Sequence, residues 1–422
     1  MLKDEYNDFE KAFTSDCEYS GLRITKKEAF SNVLSLLGNP EKIPWCENGF
    51  YTDKSVINGK HPYHIAGLVY FQEPSATAPV SALPIHPGDY VLDLCAAPGG
   101  KSTQVSERLG KSGVLIANEI IPKRAEILAE NIERCGISNA IVTNEAPDRL
   151  SEKFPEFFDK IIVDAPCSGE GMFRTEPQAI TEWSITHTQS CALRQRHILE
   201  CAIKMLKPGG YMVYSTCTFS TEENEENVSF ILENYPEMSL VPVALDGLSD
   251  GFGLTDTKRI FPHLAKGEGH FLALLKKSGN CEKTSDNFKN NPPEIFTAFE
   301  KDTFNITHQG NFQIFKDHLY LLPCNINLDK IRVVRAGLYM GMLKKGRFEP
   351  SHALCLANKA ENFKNTVNLS CDSDELLKFL HGDVINCDKK GWCAVLADGF
   401  PIGWGKAADG SLKNHFPKKF RI

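Results

Sequence analysis

Residues Val91 to Gln104 read VLDLCAAPGGKSTQ, and this stretch decides the fold. Val91, Leu92 and Leu94 form an apolar run with the length of a buried strand. Pro98, Gly99 and Gly100 force a turn, and Lys101, Ser102 and Thr103 open a helix. A strand, a glycine turn and a helix start leave free backbone N–H groups at a positive dipole end, which suits an anionic or carboxylate-bearing ligand. A bare strand-to-helix turn explains the same letters. A P-loop would need a glycine where Cys95 stands, although Gly100, Lys101 and Ser102 match its end.

The rest of the chain frames that stretch. Its 422 residues are enough for two to four domains. Hydrophobic residues make up 42%, and no apolar run is long enough to span a membrane. The N-terminus, MLKDEYNDFEKAF, is charged and has no signal-peptide core, so a cytoplasmic protein is expected. The 14 cysteines are scattered without a C-x-x-C pair, which reads as reduced thiols and not as a disulfide framework. No His/Cys spacing suggests a metal site, and none is expected. The net charge of −7 favours no partner, so any nucleic-acid surface must be a local basic patch.

Between residues 76 and 278 strand and helix periods alternate. Strands are expected at Val91–Leu94, Val114–Glu119, Ala140–Asn144, Lys160–Ala165, Tyr211–Thr216 and His270–Lys277. Helices are expected at Pro122–Cys135, Leu193–Leu206 and Thr221–Leu232, the second ending at Lys207-Pro208-Gly209-Gly210 and the third N-capped by Thr221. This is an α/β pattern, a Rossmann-like doubly wound sheet with ligand sites at the C-terminal strand ends. Residues 1–75 form a small N-terminal domain with a helix from Thr25 to Leu37, and 279–293 is a polar linker. Residues 294–349 form a basic intermediate domain carrying Arg332, Arg335, Lys344, Lys345 and Arg347. Residues 350–422 form a β-rich module whose tail adds Lys406, Lys413, Lys418, Lys419 and Arg421. Two basic blocks flanking an enzyme core favour contact with phosphates.

Several polar residues fall at strand ends. Glu119 closes the second strand, where an acid can accept both ribose hydroxyls of a nucleoside. Asp164 and Cys167 follow the fourth strand and Cys217 follows the fifth. One such cysteine would read as a small core thiol; two on neighbouring ligand-facing loops point to chemistry.

Three blocks, VLDLCAAPGGKSTQ, FDKIIVDAPCSGEGMFR (Phe158–Arg174) and YSTCTFSTEENEENV (Tyr214–Val228), resemble the Sun-type family of RNA cytosine-5 methyltransferases in order and spacing. RAGLYMGMLKKGRFEPSHAL and the ending DGFPIGWGK…LKNHFPKKFR resemble the C-terminal regions of its bacterial branch, which modifies small-subunit rRNA. The resemblance implies a methyltransferase core, an RNA-binding N-terminal domain, a C-terminal α+β module and a PUA-like RNA-binding end. It implies S-adenosylmethionine as cofactor, 16S rRNA as substrate and a monomer. By the same resemblance Cys217 is the nucleophile, Cys167 helps release the product, and Asp164 faces the target base near the cofactor. Cys95, Ala96, Ala97, Pro98, Gly99, Gly100 and Lys101 form the cofactor loop, and Glu119 is the ribose acid. The family usually has an Asp near the adenine after the third strand; here Asn144 or Glu145 stands in that region, and Asn144 is taken as the contact.

The chemistry agrees. Carbon 5 of cytosine is a poor nucleophile, and adding a thiolate to carbon 6 turns the ring into an enamine that can attack an electrophilic methyl. A proton is needed near ring nitrogen 3, and the carbon 5 proton must leave before elimination. Other readings are methylation of tRNA or 23S rRNA, a DNA cytosine-5 methyltransferase using Cys167 as nucleophile, and a non-catalytic ribosome-assembly factor. Arg174 is either a phosphate ligand or a structural ion pair, and the acidity of Thr221–Asn224 is given no catalytic role.

Overall fold

In the computed structural model the described residues are 5–15, 20–53, 55–110, 112–280 and 289–422. The linker expected at 279–293 lies mostly in 281–288, outside them. The core strands are β1 (Tyr90–Asp93), β2 (Val114–Asn118), β3 (Ala140–Thr143), β4 (Phe158–Asp164), β5 (Leu206–Thr216), β6 (His270–Lys277) and β7 (Val333–Ala336). They lie in the order β6-β5-β4-β1-β2-β3-β7. The five central strands are parallel, and β6 and β7 run antiparallel at the two sides. Order reverses between β1 and β4, so the crevice for a ligand opens above their C-terminal ends.

Both faces of this sheet are buried, as parallel sheets require. Leu92, Ile116, Ile161 and Val163 enter one core; Val91, Leu115, Ala117 and Ile162 enter the other. Helices α1 (Gly100–Leu109), α2 (Pro122–Arg134), α3 (Ile185–Met205) and α4 (Glu225–Asn234) connect or flank the strands.

Four sequence expectations change. The helix α3 starts eight residues earlier than expected, because Ser184 accepts a hydrogen bond from His187 N–H and caps it. Lys207–Gly210 does not form a terminating loop, since the chain passes from Met205 straight into β5. Thr221 opens a turn instead of capping α4, whose N-cap position is Asn224. The stretch expected as a helix from Thr25 is a short 3-10 turn, Lys27–Ala29, followed by a helix over Phe30–Leu37.

The flanking blocks do not stand apart from one another. Leu22, Ile24, Val33 and Phe50 share one hydrophobic core with Leu376, Phe379, Ile402 and Phe416. Phe296, Phe299 and Phe348 share another with Leu396 and Trp404. Strand β7, from the intermediate block, pairs directly with β3 of the core sheet. Arg23 is fully buried; it bonds Gln72, Gly100 O, Thr103 and Glu107 and so fixes the N-terminal block to α1.

Candidate active site

The turn after β1 is where the sequence placed it. Gly99 has φ of 115°, a value open to glycine, and it turns the chain into α1. Lys101, in the first turn of that helix, reaches across to the end of β4, where its Nζ lies 2.7 Å from Asp164 Oδ2. Asp164 Oδ1 accepts from Ser215 Oγ at 2.7 Å and lies 3.5 Å from His270 Nε2. Burial alone would raise this carboxyl, yet Lys101 and His270 hold it well below the usual carboxylate range. Asp164 is therefore an ionised acceptor.

The two cysteines meet. Cys167 Sγ and Cys217 Sγ are 3.3 Å apart, one on the loop after β4 and the other just past β5. The neighbouring Cys217 sulfur, and then burial, push the Cys167 thiol up. Cys167 thus keeps its proton beside the second sulfur.

The loops are locked by residues that sequence reasoning passed over. Glu223 is fully buried and accepts from Ser168 N–H at 3.0 Å, Ser168 Oγ and Gln195 Nε2 at 2.7 Å. Gln195 Nε2 also donates to Pro166 O at 3.0 Å, so helix α3 holds the backbone on both sides of Cys167. Glu170 accepts from Phe219 N–H at 2.8 Å, two residues past Cys217, while Gly171 N–H donates to Cys217 O at 2.8 Å. The threonines beside Cys217 face away from it. Thr216 Oγ1 donates to Asn224 at 2.6 Å, and Thr218 Oγ1 donates to Glu170 at 3.0 Å. Only the acid-rich spelling around Glu223 hinted at a role, and it read as a helix start.

Arg174 resolves as structural. It is buried against Glu268 at 2.8 Å and also bonds Gly267 O and Ala12 O. The N-terminal helix Tyr6–Thr14 meets these loops through Phe9 and Phe13, which pack on Phe219 and Phe173.

A cavity of about 880 Å³ runs beside these groups, within the range of small-molecule sites. Leu94, Cys95, Ala97 and Glu119 line one end; Asp164, Cys167 and Cys217 line the other. Glu119 is buried, with Oε1 accepting from Ile121 N–H at 2.9 Å and Oε2 lying 3.6 Å from Arg124. Its remaining acceptor capacity faces the cavity. Ala96, Pro98, Gly99 and Gly100 supply the turn, while Lys101 acts on Asp164 from behind it. Asn144 does not line the cavity. Its amide donates to Glu119 O and Ile120 O, and its carbonyl accepts from Arg332. Glu145 is held by Arg332 N–H and Arg149. The acid after β3 that does line the cavity is Asp148, at the start of the next helix. Folding also brings Asp148, His197 and Cys201 within 4.8 Å, a grouping with metal-ligand chemistry that the expectation of no metal site did not include. His197 Nε2 already lies 2.9 Å from Asp148 Oδ1 there.

A family of 16S rRNA methyltransferases, RsmB/F, matches residues 80–276. Three further patterns match the flanks: the N-terminal domain of 16S rRNA methyltransferase RsmF over 1–74, the RsmF first C-terminal domain over 298–357, and the RsmF PUA domain over 366–422. The chain is 32% identical to ribosomal RNA small subunit methyltransferase F of Enterobacter sp. (strain 638), covering 94% of this chain and 88% of that one. It is 33% identical to the protein of the same name from Erwinia tasmaniensis, covering 89% and 84%. Among solved structures, a methyltransferase homologue from Pyrococcus horikoshii superposes with a TM-score of 0.56 at 27% identity, covering 65% of this chain and 91% of that one. NSun6 from the same organism shares the fold, with a TM-score of 0.58 at 23% identity, covering 66% and 95%.

Proposed function

Because the chain belongs to the RsmB/F family of 16S rRNA methyltransferases, we propose that it methylates carbon 5 of cytosine in small-subunit rRNA through a covalent cysteine adduct. The observation that carries this reading is the pair of sulfur atoms 3.3 Å apart at the mouth of the cavity that Asp164 also lines.

S-Adenosylmethionine supplies an electrophilic methyl when bound. The donor set fits it. Backbone N–H groups at the start of α1 suit its carboxylate, the Glu119 carboxylate suits ribose hydroxyls, and the exposed Ile120 and Ile121 offer an apolar surface.

The protein's own groups then divide the work. Cys217 attacks carbon 6 as a thiolate, forming the Sγ–C6 bond and moving the ring electrons toward carbon 5. Lys101, behind Asp164, keeps that carboxylate ionised where it faces the ring. The ionised Asp164 accepts a hydrogen bond from an exocyclic amine, which cytosine has and uracil lacks. After carbon 5 takes the methyl, a solvent water accepts the carbon 5 proton, the C5–H electrons form the C5–C6 double bond, and the Sγ–C6 bond breaks to return Cys217 as a thiolate. The S–H of Cys167 then donates to the departing Cys217 thiolate, a task suited to a thiol that holds its proton.

The C-terminal blocks support an RNA substrate. Lys344, Arg347, Lys390, Lys406 and Lys413 converge on one groove of about 850 Å³, with Trp392 and His415 packed within it. Lys344 and Arg347 of the first basic stretch thus meet Lys406 and Lys413 of the second on one surface, while Arg335 is buried, Arg332 bonds Asn144 and Lys419 pairs with Glu130. The N-terminal block adds RNA contacts of its own. An rRNA substrate sets the work in the cytoplasm, and one chain supplies every site residue, so a monomer suffices. Bisulfite sequencing of small-subunit rRNA tests the reading. A protected cytosine present in the parent strain should vanish when the gene is deleted, and an unchanged pattern would refute it.

A further inference from the structure

Trp183 lies between the helix Pro177–Glu182 and α3, and 41% of it is exposed. A large aromatic residue in such a position needs an explanation, because its burial would otherwise be favourable. It is not loosely placed. Its backbone N–H donates to Ala179 O at 3.1 Å, and the next residue is the Ser184 cap of α3. Its indole Nε1–H donates to Glu170 Oε1 at 3.0 Å. The other oxygen of Glu170 accepts from Phe219 N–H and Thr218 Oγ1, on the loop that carries Cys217. One carboxylate therefore joins the edge of an exposed indole to the loop of the proposed nucleophile.

Glu182, immediately before Trp183, lines the cavity, as do His187 and Arg194 of α3. Trp183 is not itself part of the lining and follows Glu182 at the edge of the cavity. A base withdrawn from its stack leaves neighbours with open π-faces, and rigid aromatic side chains bind such faces with little ordering cost.

We infer that Trp183 is a stacking platform for a nucleotide next to the target cytosine, held in register with Cys217 by Glu170. The inference rests on the reading of the chain as an rRNA methyltransferase. Ile180 and Ile185, both exposed on either side, extend the apolar rim. Arg194 lines the same cavity and can meet a phosphate, while Glu176 and Glu182 line it too, so the aromatic face and not net charge carries the fit.

Two substitutions separate stacking from the hydrogen bond. Trp183→Ala removes both, and Trp183→Phe keeps an aromatic face but cannot donate to Glu170. Methyl transfer is measured on small ribosomal subunits from a strain lacking the gene, after thermal unfolding shows that both variants are folded. Trp183→Ala should raise KM about tenfold or more, the scale of one base–aromatic contact. Trp183→Phe should stay within about threefold of the parent. Equal defects in both variants would assign the effect to the Glu170 bond and overturn the inference, as would a parental KM in Trp183→Ala. A second readout is independent of methylation: a short single-stranded RNA should quench tryptophan fluorescence in the parent, and the quench should fall in Trp183→Phe to the part that Trp392 of the C-terminal groove contributes. A parent that transfers no methyl yet shows this quench would refute the methylation reading and leave the stacking site standing. Quenching undiminished in Trp183→Phe would refute the stacking site.

Discussion

Lys101 Nζ lies 2.7 Å from Asp164 Oδ2, joining the helix that follows β1 to the end of β4. The pair binds two strand ends, and it fixes the protonation state of Asp164. Replacing Lys101 with Met should let that carboxyl rise toward its ordinary range. The rate of methyl transfer should then acquire an acid limb at higher pH than in the parent, because an acceptor that protonates is lost. The parent group has a depressed value, so whatever it contributes to stability is present above the unfolded carboxylate range and is lost only as pH falls through its lower folded value. A pH–rate profile of Lys101→Met that overlays the parent profile would contradict this coupling. At pH 7.5 transfer should drop about 100-fold or more, the usual effect of removing a preorganised charge.

Asp93 shows the opposite behaviour. It is fully buried, and among the described residues only Ser102 Oγ donates to it and its Oδ1 has no hydrogen-bond partner. Burial pushes its carboxyl up to about 7. A raised value means that its contribution is complete below the unfolded value of about 4 and is lost as pH rises through 7. Asp93→Asn should therefore stabilise the apoprotein at pH 8 relative to the parent, by at most about 4 kcal/mol. The difference should shrink toward pH 5. Parallel melting-temperature curves across that range would exclude the linkage.

Glu223 gives a stability prediction with a built-in control. Glu223→Ala leaves the Ser168 N–H, the Ser168 hydroxyl and the Gln195 amide without their acceptor, at a cost of about 1–3 kcal/mol for each group left unpaired. Glu223→Gln keeps an acceptor oxygen and should recover most of the loss in denaturant unfolding. If both variants unfold like the parent, the carboxylate does not hold the Cys167 loop.

Glu119 should matter to cofactor and little to the fold. Removing its carboxylate should weaken S-adenosylmethionine by about 1.5–3 kcal/mol per lost charged hydrogen bond. Isothermal calorimetry on folded Glu119→Ala reads this directly, and unchanged affinity would take Glu119 out of the site.

These predictions draw on residues of unequal visibility in the sequence. Cys95–Lys101, Glu119, Asp164, Cys167 and Cys217 all sit at C-terminal strand ends, where period and topology alone locate a ligand site. Gln195 and His270 act through contacts between distant segments and nothing local marks them, while Glu223 lies in an acid-rich run that reads as a helix start. Arg174 had two readings, and only its buried partner Glu268 decides between them. Asn144 looked like a cofactor contact by position, but its side chain is taken up by Arg332 and by the backbone after β2. The residues of 350–422 read as a separate module because they hold short strand-like pieces separated by Asp-Gly turns. Their apolar faces instead complete the core begun at Leu22 and Ile24, a pairing no local pattern encodes.

The central claim is the order of the two cysteines, and a denaturing gel tests it most directly. Each single Cys→Ala variant is incubated with labelled small-subunit rRNA and S-adenosylmethionine, then run under denaturing conditions. Cys167→Ala should form the adduct, transfer the methyl and stall, leaving an RNA-linked protein band. Cys217→Ala should give neither band nor product. A band with Cys217→Ala and none with Cys167→Ala would reverse the assignment, and full activity in both variants without any band would contradict covalent catalysis altogether.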